Sequence, residues 1–183
     1  MVVRLEFSRR YSMAHRLLGD PTSKCRTPHG HDEVVTVRLK PMRALDFGGS
    51  NMAASFELAK GRWHRWIDGQ VDHAFQLNAA DPLIGHFRDH EPELLKRLMV
   101  FEGDPTTEAL AVAFLTKLQA FLAADGGVFA AERVAIQETP TNRVVLSAAD
   151  WAAAGGDWAP GEWARRADAS LNDLLPASEW ADG

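Results

Sequence analysis

Cys25-Arg26-Thr27-Pro28-His29-Gly30-His31 leads into a run in which Val35, Val37 and Leu39 keep the parity of the two histidines. Side chains on a strand alternate between faces, so His29 and His31 would share the face that Val35, Val37 and Leu39 bury. The pattern predicts a strand over about 29–39, its far half in the core and its first residues aiming two imidazoles into a site. His15, upstream, offers a third imidazole. Three neutral nitrogen ligands leave a tetrahedral zinc one open position, as catalytic sites require. Cys25, the only cysteine, stands beside this set; nearby positive charge favours a thiolate and makes it a candidate base or nucleophile. Alone, the segment decides nothing: His-x-His pairs also occur as plain surface residues, and a single cysteine most often serves as a small apolar side chain.

The flanking sequence supplies a scaffold. Val3, Leu5 and Phe7 alternate with Arg4, Glu6 and Ser8, a half-buried strand. A loop follows at Gly19–Ser23, and a short third strand is expected over Arg43–Phe47, ended by Gly48-Gly49. Phe56, Ala59, Trp63, Trp66 and Ile67 fall at helical spacing, with both tryptophans read as core. A second helix is expected with Asp104 as N-cap and Pro105 at N1; Ala111, Leu115, Leu118 and Leu122 mark its apolar face and Gly126-Gly127 closes it. Strands over Arg133–Thr139 and Arg143–Leu146 complete the order β-β-β-α-α-β-β. That order lacks regular βαβ alternation, so it favours an α+β layer: an antiparallel sheet with helices on one face.

Composition narrows the class. The chain has 183 residues, 46% apolar and 25% charged, ordinary for a soluble globular protein. One cysteine excludes an intramolecular disulfide framework, the N-terminal residues lack a signal-peptide apolar region, and no run approaches a membrane span. A cytoplasmic protein without a membrane partner is expected. The net charge of −5 resides wholly after residue 146, where seven acids face Arg165 and Arg166. Without a basic excess, nucleic acid is a poor partner. The chain is therefore divided into a domain over 1–146 and an acidic extension over 147–183. The extension carries Trp151, Trp158, Trp163 and Trp180, which suggests docking rather than plain disorder, and Leu171, Leu174 and Leu175 suit a short helix.

Three further features carry chemistry. In Asp72-His73 the carboxylate can orient the imidazole and raise its basicity. Pro105-Thr106-Thr107-Glu108 opens the second helix. Glu138 shares the apolar parity of Val134 and Ile136, and a buried carboxylate there needs a dedicated cationic or donor partner.

With these in place the sequence resembles the 6-pyruvoyl-tetrahydropterin synthase/6-carboxytetrahydropterin synthase family. The resemblance rests on Tyr11-Ser12-Met13-Ala14-His15-Arg16-Leu17, Cys25-x3-His29-Gly30-His31, Leu45-Asp46-Phe47, Asp72-His73 with Leu77-Asn78, Pro105 to Glu108, and Ile136-Gln137-Glu138-Thr139. It implies the tunnelling fold: a four-stranded antiparallel sheet with two helices on one face, the sheets assembling into an oligomeric barrel, usually a homohexamer with active sites between subunits. It implies zinc on His15, His29 and His31, and catalytic roles for Cys25, Asp72 and His73, the latter two supplied by a neighbouring subunit. Glu138 would anchor the pterin's amino-pyrimidine edge, with Thr139, Thr106, Thr107 and Glu108 lining the pocket.

The implied substrate is 7,8-dihydroneopterin triphosphate. Three residues between Cys25 and His29 resemble the branch that forms 6-carboxytetrahydropterin, a precursor of queuosine, with loss of acetaldehyde and triphosphate. The alternatives are the pyruvoyl-forming reaction, a related pterin paralogue, or a non-catalytic zinc- or pterin-binding scaffold. Arg16, Lys24 and Arg26 are candidate phosphate contacts by charge and proximity alone.

Overall fold

The structure, a computed structural model, describes residues 3–45 and 47–180. Its elements in chain order are β1 (Leu5–His15), α1 (Ser23–Arg26), β2 (His29–Pro41), α2 (Phe56–Trp66), β3 (Ala74–Asn78), α3 (Pro82–His90), β4 (Leu98–Phe101), α4 (Thr107–Ala124), β5 (Phe129–Gln137), β6 (Arg143–Ser147) and α5 (Ala148–Ala153). They form one six-stranded sheet of order β4-β3-β1-β2-β5-β6.

The four strands β1, β2, β5 and β6 pair antiparallel in that order. The expectation of four antiparallel strands is corrected by two more: β3 joins β1, and β4 joins β3, both in parallel. The strand expected over Arg43–Phe47 is not formed. Met42 N–H makes a last bond to Val128 O, the chain then bends, and Phe47 enters a turn with its ring exposed. With no partner strand, alternation there has nothing to bury; Asp46 lies outside the described residues.

One face of the sheet carries the main core. Val35, Val37 and Leu39 of β2, Val134 and Ile136 of β5, and Tyr11 and Met13 of β1 pack against Trp63 and Trp66 of α2 and Phe114, Leu118 and Phe121 of α4. The two expected helices thus lie together on this face. Among the described residues α4 is the one helix long and apolar enough to cross a membrane, yet most of it is core. Its N-cap is Thr106, whose hydroxyl accepts from Ala109 N at 3.3 Å, so the expected Asp104 cap and Pro105 N1 each fall two residues early. Beyond its end, Gly126 and Gly127 have φ of 85° and 63°, a conformation glycine adopts without steric penalty.

Opposite, β3 and β4 turn Leu77, Leu98 and Val100 toward Ile84 of α3 and Leu95, a second small core. The C-terminal segment runs along β4 and joins both cores, with Trp163, Leu171 and Trp180 in the main one and Leu174 against the second. Val100 N–H donates to Leu171 O at 3.1 Å, Glu102 N–H to Pro160 O at 2.7 Å, and Trp163 Nε1–H to Val100 O at 2.8 Å. Asn172 Nδ2 donates to Leu95 O and Leu98 O. Trp163 and Trp180 are buried, whereas Trp158 is exposed. The segment around Leu171, Leu174 and Leu175 forms bends rather than the expected helix. Lys117 of α4, fully buried, ties the segment down, donating to Trp163 O at 2.9 Å and Ser170 Oγ at 3.2 Å beside Asp168.

Candidate active site and metal centre

Strand parity delivers the histidines as expected. The β1–β2 register sets His15 opposite His29 and Met13 opposite His31, all on the core face. Gly30 permits the approach: a Cβ there would stand 2.5 Å from Met13 O, a backbone atom that cannot swing away. The three imidazoles each present a ring nitrogen within 4.8 Å of the others.

Second partners fix two of the rings. His15 Nδ1–H donates to Pro105 O at 3.0 Å, and His29 Nδ1–H donates to Thr27 O at 2.9 Å. Both protons being committed, the Nε2 lone pairs of His15 and His29 face each other across 3.1 Å. Two acceptors so placed repel unless a cation lies between them, and backbone acceptors on Nδ1 are the usual support for imidazole ligands. Burial lowers the pKa of His15 to about 4, so the imidazole is neutral near pH 7. Three neutral nitrogens of this kind fit zinc.

Beside the cluster opens a cavity of about 510 Å³, lined by His15 and Leu17, by Thr106, Thr107 and Glu108 at the start of α4, and by Glu138 and residues 141–144 of the β5–β6 hairpin. Thr107 Oγ1 donates to Glu138 Oε1 at 2.6 Å, so the carboxylate keeps its second oxygen for another donor. His15 belongs to both cavity and cluster, which makes them one site. Thr139 does not line the cavity; its hydroxyl accepts the Asn142 N–H at 3.0 Å and shapes the hairpin turn.

The other candidates do not line this cavity. Cys25 is free and half-buried in α1, whose Cys25 O accepts Leu17 N–H at 2.8 Å. Asp72 and His73 follow a π-helical turn, Ile67–Val71, with His73 at φ 64°. Asp72 Oδ2 lies 2.9 Å from His73 Nδ1, and Asp72 Oδ1 accepts Ser12 N–H at 2.8 Å. The Ser12 bond, with His73 second, holds the Asp72 carboxyl below the usual range. The His73 side chain is 76% exposed, and the pair lies outside the cavity of His15 and Glu138. Within one chain the structure therefore joins the three imidazoles to the Glu138 pocket but not to Asp72 and His73. Arg16 is also removed from the phosphate candidates: its guanidinium grips buried Asp81 at 2.6 and 2.5 Å. Lys24 and Arg26 remain exposed on α1.

One polar residue escaped sequence reasoning. Glu33, two positions after His31 on the same face, is fully buried, accepts the Tyr11 hydroxyl through Oε2, and has no partner for Oε1 among the described residues. Burial raises its pKa to about 7. Continuing the parity of His29 and His31 one step would have found it.

Residues 4–149 match the family model for 6-pyruvoyl tetrahydropterin synthase. The chain belongs to this family. No curated protein matches it in sequence. Among solved structures it is similar to an uncharacterized protein from Wolinella succinogenes, with 24% identity and TM-score 0.65 over 81% of this chain and 99% of that one. It is similar also to the 6-pyruvoyl tetrahydropterin synthase of Caenorhabditis elegans, with 24% identity and TM-score 0.54 over 80% and 96%. A third is the Plasmodium vivax enzyme, with 16% identity and TM-score 0.56 over 80% and 97%. At these identities the likeness establishes the family's mixed α+β fold around a single sheet. The family match ends at residue 149, so the segment that closes β4 lies beyond it.

Proposed function

We propose that the protein is a zinc-dependent lyase that converts 7,8-dihydroneopterin triphosphate and one water to 6-carboxy-5,6,7,8-tetrahydropterin, releasing acetaldehyde and triphosphate. The observation that carries this reading is the sharing of His15 between a three-imidazole cluster and the cavity floored by Glu138.

Each residue then has a task. His15, His29 and His31 would hold zinc, which when bound supplies Lewis acidity toward the substrate's side-chain hydroxyls. The Glu138 carboxylate, held by Thr107 through one lone pair of Oε1, would accept the parallel N–H donors of the pterin's amino-pyrimidine edge through its two oxygens. Thr106 and Glu108 would close the pocket around the ring. Cys25 would take the proton from the first side-chain carbon, and the Asp72–His73 pair would return one. Because that pair is exposed and separate from the cavity of its own chain, a neighbouring copy in a homo-oligomer would supply it. The three-residue gap from Cys25 to His29 supports the carboxy product over the pyruvoyl one.

Incubation with dihydroneopterin triphosphate, followed by mass analysis, tests the reading. Acetaldehyde together with a 6-carboxypterin is the expected result. A 6-pyruvoyl product would place the chain in the other branch, and zinc and pterin binding without turnover would leave a scaffold.

A further inference from the structure

Asp104 was expected to cap α4, but Thr106 performs that task and the Asp104 side chain is released for another. Its Oδ1 accepts Leu18 N–H at 3.0 Å and Asn78 Nδ2–H at 2.8 Å, and its Oδ2 accepts Gly19 N–H at 2.7 Å. Burial alone would push its carboxyl up; these donors outweigh that and hold it below the usual range. Among the described residues it forms no ion pair, so its charge is met entirely by N–H donors.

Those donors belong to elements that converge on the site. Leu18 and Gly19 follow β1 directly after His15, Arg16 and Leu17, and Leu17 N–H binds Cys25 O, fastening α1 to the same loop. Asn78 ends β3, the strand that begins after His73. Pro105, the next residue after Asp104, provides the carbonyl that holds His15 Nδ1. One carboxylate thus joins the loop fastened to the thiol-bearing α1, the end of β3 and the acceptor that orients His15.

We infer that Asp104 is a positioning residue, fixing the His15 imidazole and the Cys25 thiol relative to each other through the Pro105 carbonyl and the Leu17–Gly19 loop. The inference rests on the reading of the histidines as metal ligands and of Cys25 as the base. An asparagine at 104 keeps the shape but turns an NH₂ toward donors, so at least one of the three bonds is lost; alanine removes all three.

The test compares zinc affinity, by competition with a chromophoric chelator, and the rate at which a thiol reagent labels the metal-free protein. Cys25 is the only cysteine, so labelling reports on it alone. D104N is expected to melt cooperatively, to bind zinc at least about tenfold more weakly, as loss of supporting bonds around a ligand does, and to label several-fold faster. D104A should exceed it in both, and D104N decides if D104A fails to fold. S55A, which removes the distant α2 cap where Ser55 Oγ accepts Leu58 N–H, should lower the melting temperature while leaving both readouts at the wild-type value. Either readout unchanged in D104N, or shifted equally in S55A, overturns the inference. If the wild-type chain bound no zinc, the reading of the histidines would fall, and the labelling rates alone would decide for or against Asp104.

Discussion

The Tyr11 hydroxyl donates to the Glu33 carboxyl across the β1–β2 pair, and both side chains are buried where the histidine cluster meets the main core. Tyr11 is the one donor Glu33 has among the described residues, and Oε1 has none. Removing the hydroxyl in Y11F strips the carboxyl of its last partner, a loss of about 1–3 kcal/mol. In the Y11F background E33L should then destabilise by less than it does alone, because an unsatisfied group is being removed. Urea midpoints of the four chains in this cycle measure the coupling; additive effects would refute it.

Zinc is expected to bind one ion per chain and to raise the thermal midpoint, since it binds only the folded arrangement. H29A or H31A should weaken binding by more than the ~10–100-fold that an outer-shell partner costs, with the fold intact because both residues are only half-buried. Calorimetric titration with zinc alone checks this. Undiminished affinity in both variants would dismiss the cluster as a metal centre.

At the pocket, E138Q should weaken binding of a non-hydrolysable pterin by about 10–100-fold, the ~1.5–3 kcal/mol of hydrogen bonds to a charged acceptor. T107V, which withdraws the donor at 2.6 Å from Glu138 Oε1, should have a smaller effect of the same sign. Fluorescence quenching reads the affinity, and zinc content should stay constant in both variants. A pterin that binds E138Q as tightly as wild type would show that the ring lies elsewhere.

Lys117 predicts a pH dependence of stability. Burial lowers its pKa from 10.5 to about 8, with Asp168 opposing the shift. Between these values the unfolded chain holds a proton that the folded chain has released, so stability from this group rises with pH through that window. The gain amounts to at most about 3 kcal/mol. Below pH 8 both states hold the proton and the contribution is flat. Urea unfolding of wild type against K117M between pH 7.5 and 10 should show the wild-type curve gaining on the variant; parallel curves would disprove the assignment.

Much of the site could be read from the residues because its information is local. His29 and His31 declare a shared face through two-residue spacing, and Glu138 stands out as a carboxylate on apolar parity. The rest depends on contacts that no local pattern encodes. β3 and β4 are only five and four residues long, and Ala74–Asn78 and Leu98–Phe101 are too short for periodicity to separate strand from helix. Asp104 looked like a helix cap because Asp-Pro is a common helix entrance; its donors come from Leu18, Gly19 and Asn78, remote in sequence. The exposure of Phe56, expected on the apolar face of α2, arises because the first turn of that helix overhangs the core.

Trp163, Leu171 and Asn172 of the C-terminal segment take up N–H and C=O groups of β4, and this gives the sheet a direction. A strand with free polar edges invites any extended segment to continue the ladder. Here Leu171 and Pro160 already receive the Val100 and Glu102 amides, so a newcomer would have to peel the terminal segment away, including Trp163 and the grip of Lys117 upon it. β6 at the opposite margin has no such cover among the described residues. The two margins of the sheet therefore differ: an added strand would meet an uncovered edge at Arg143–Ser147 and a covered one at Leu98–Phe101.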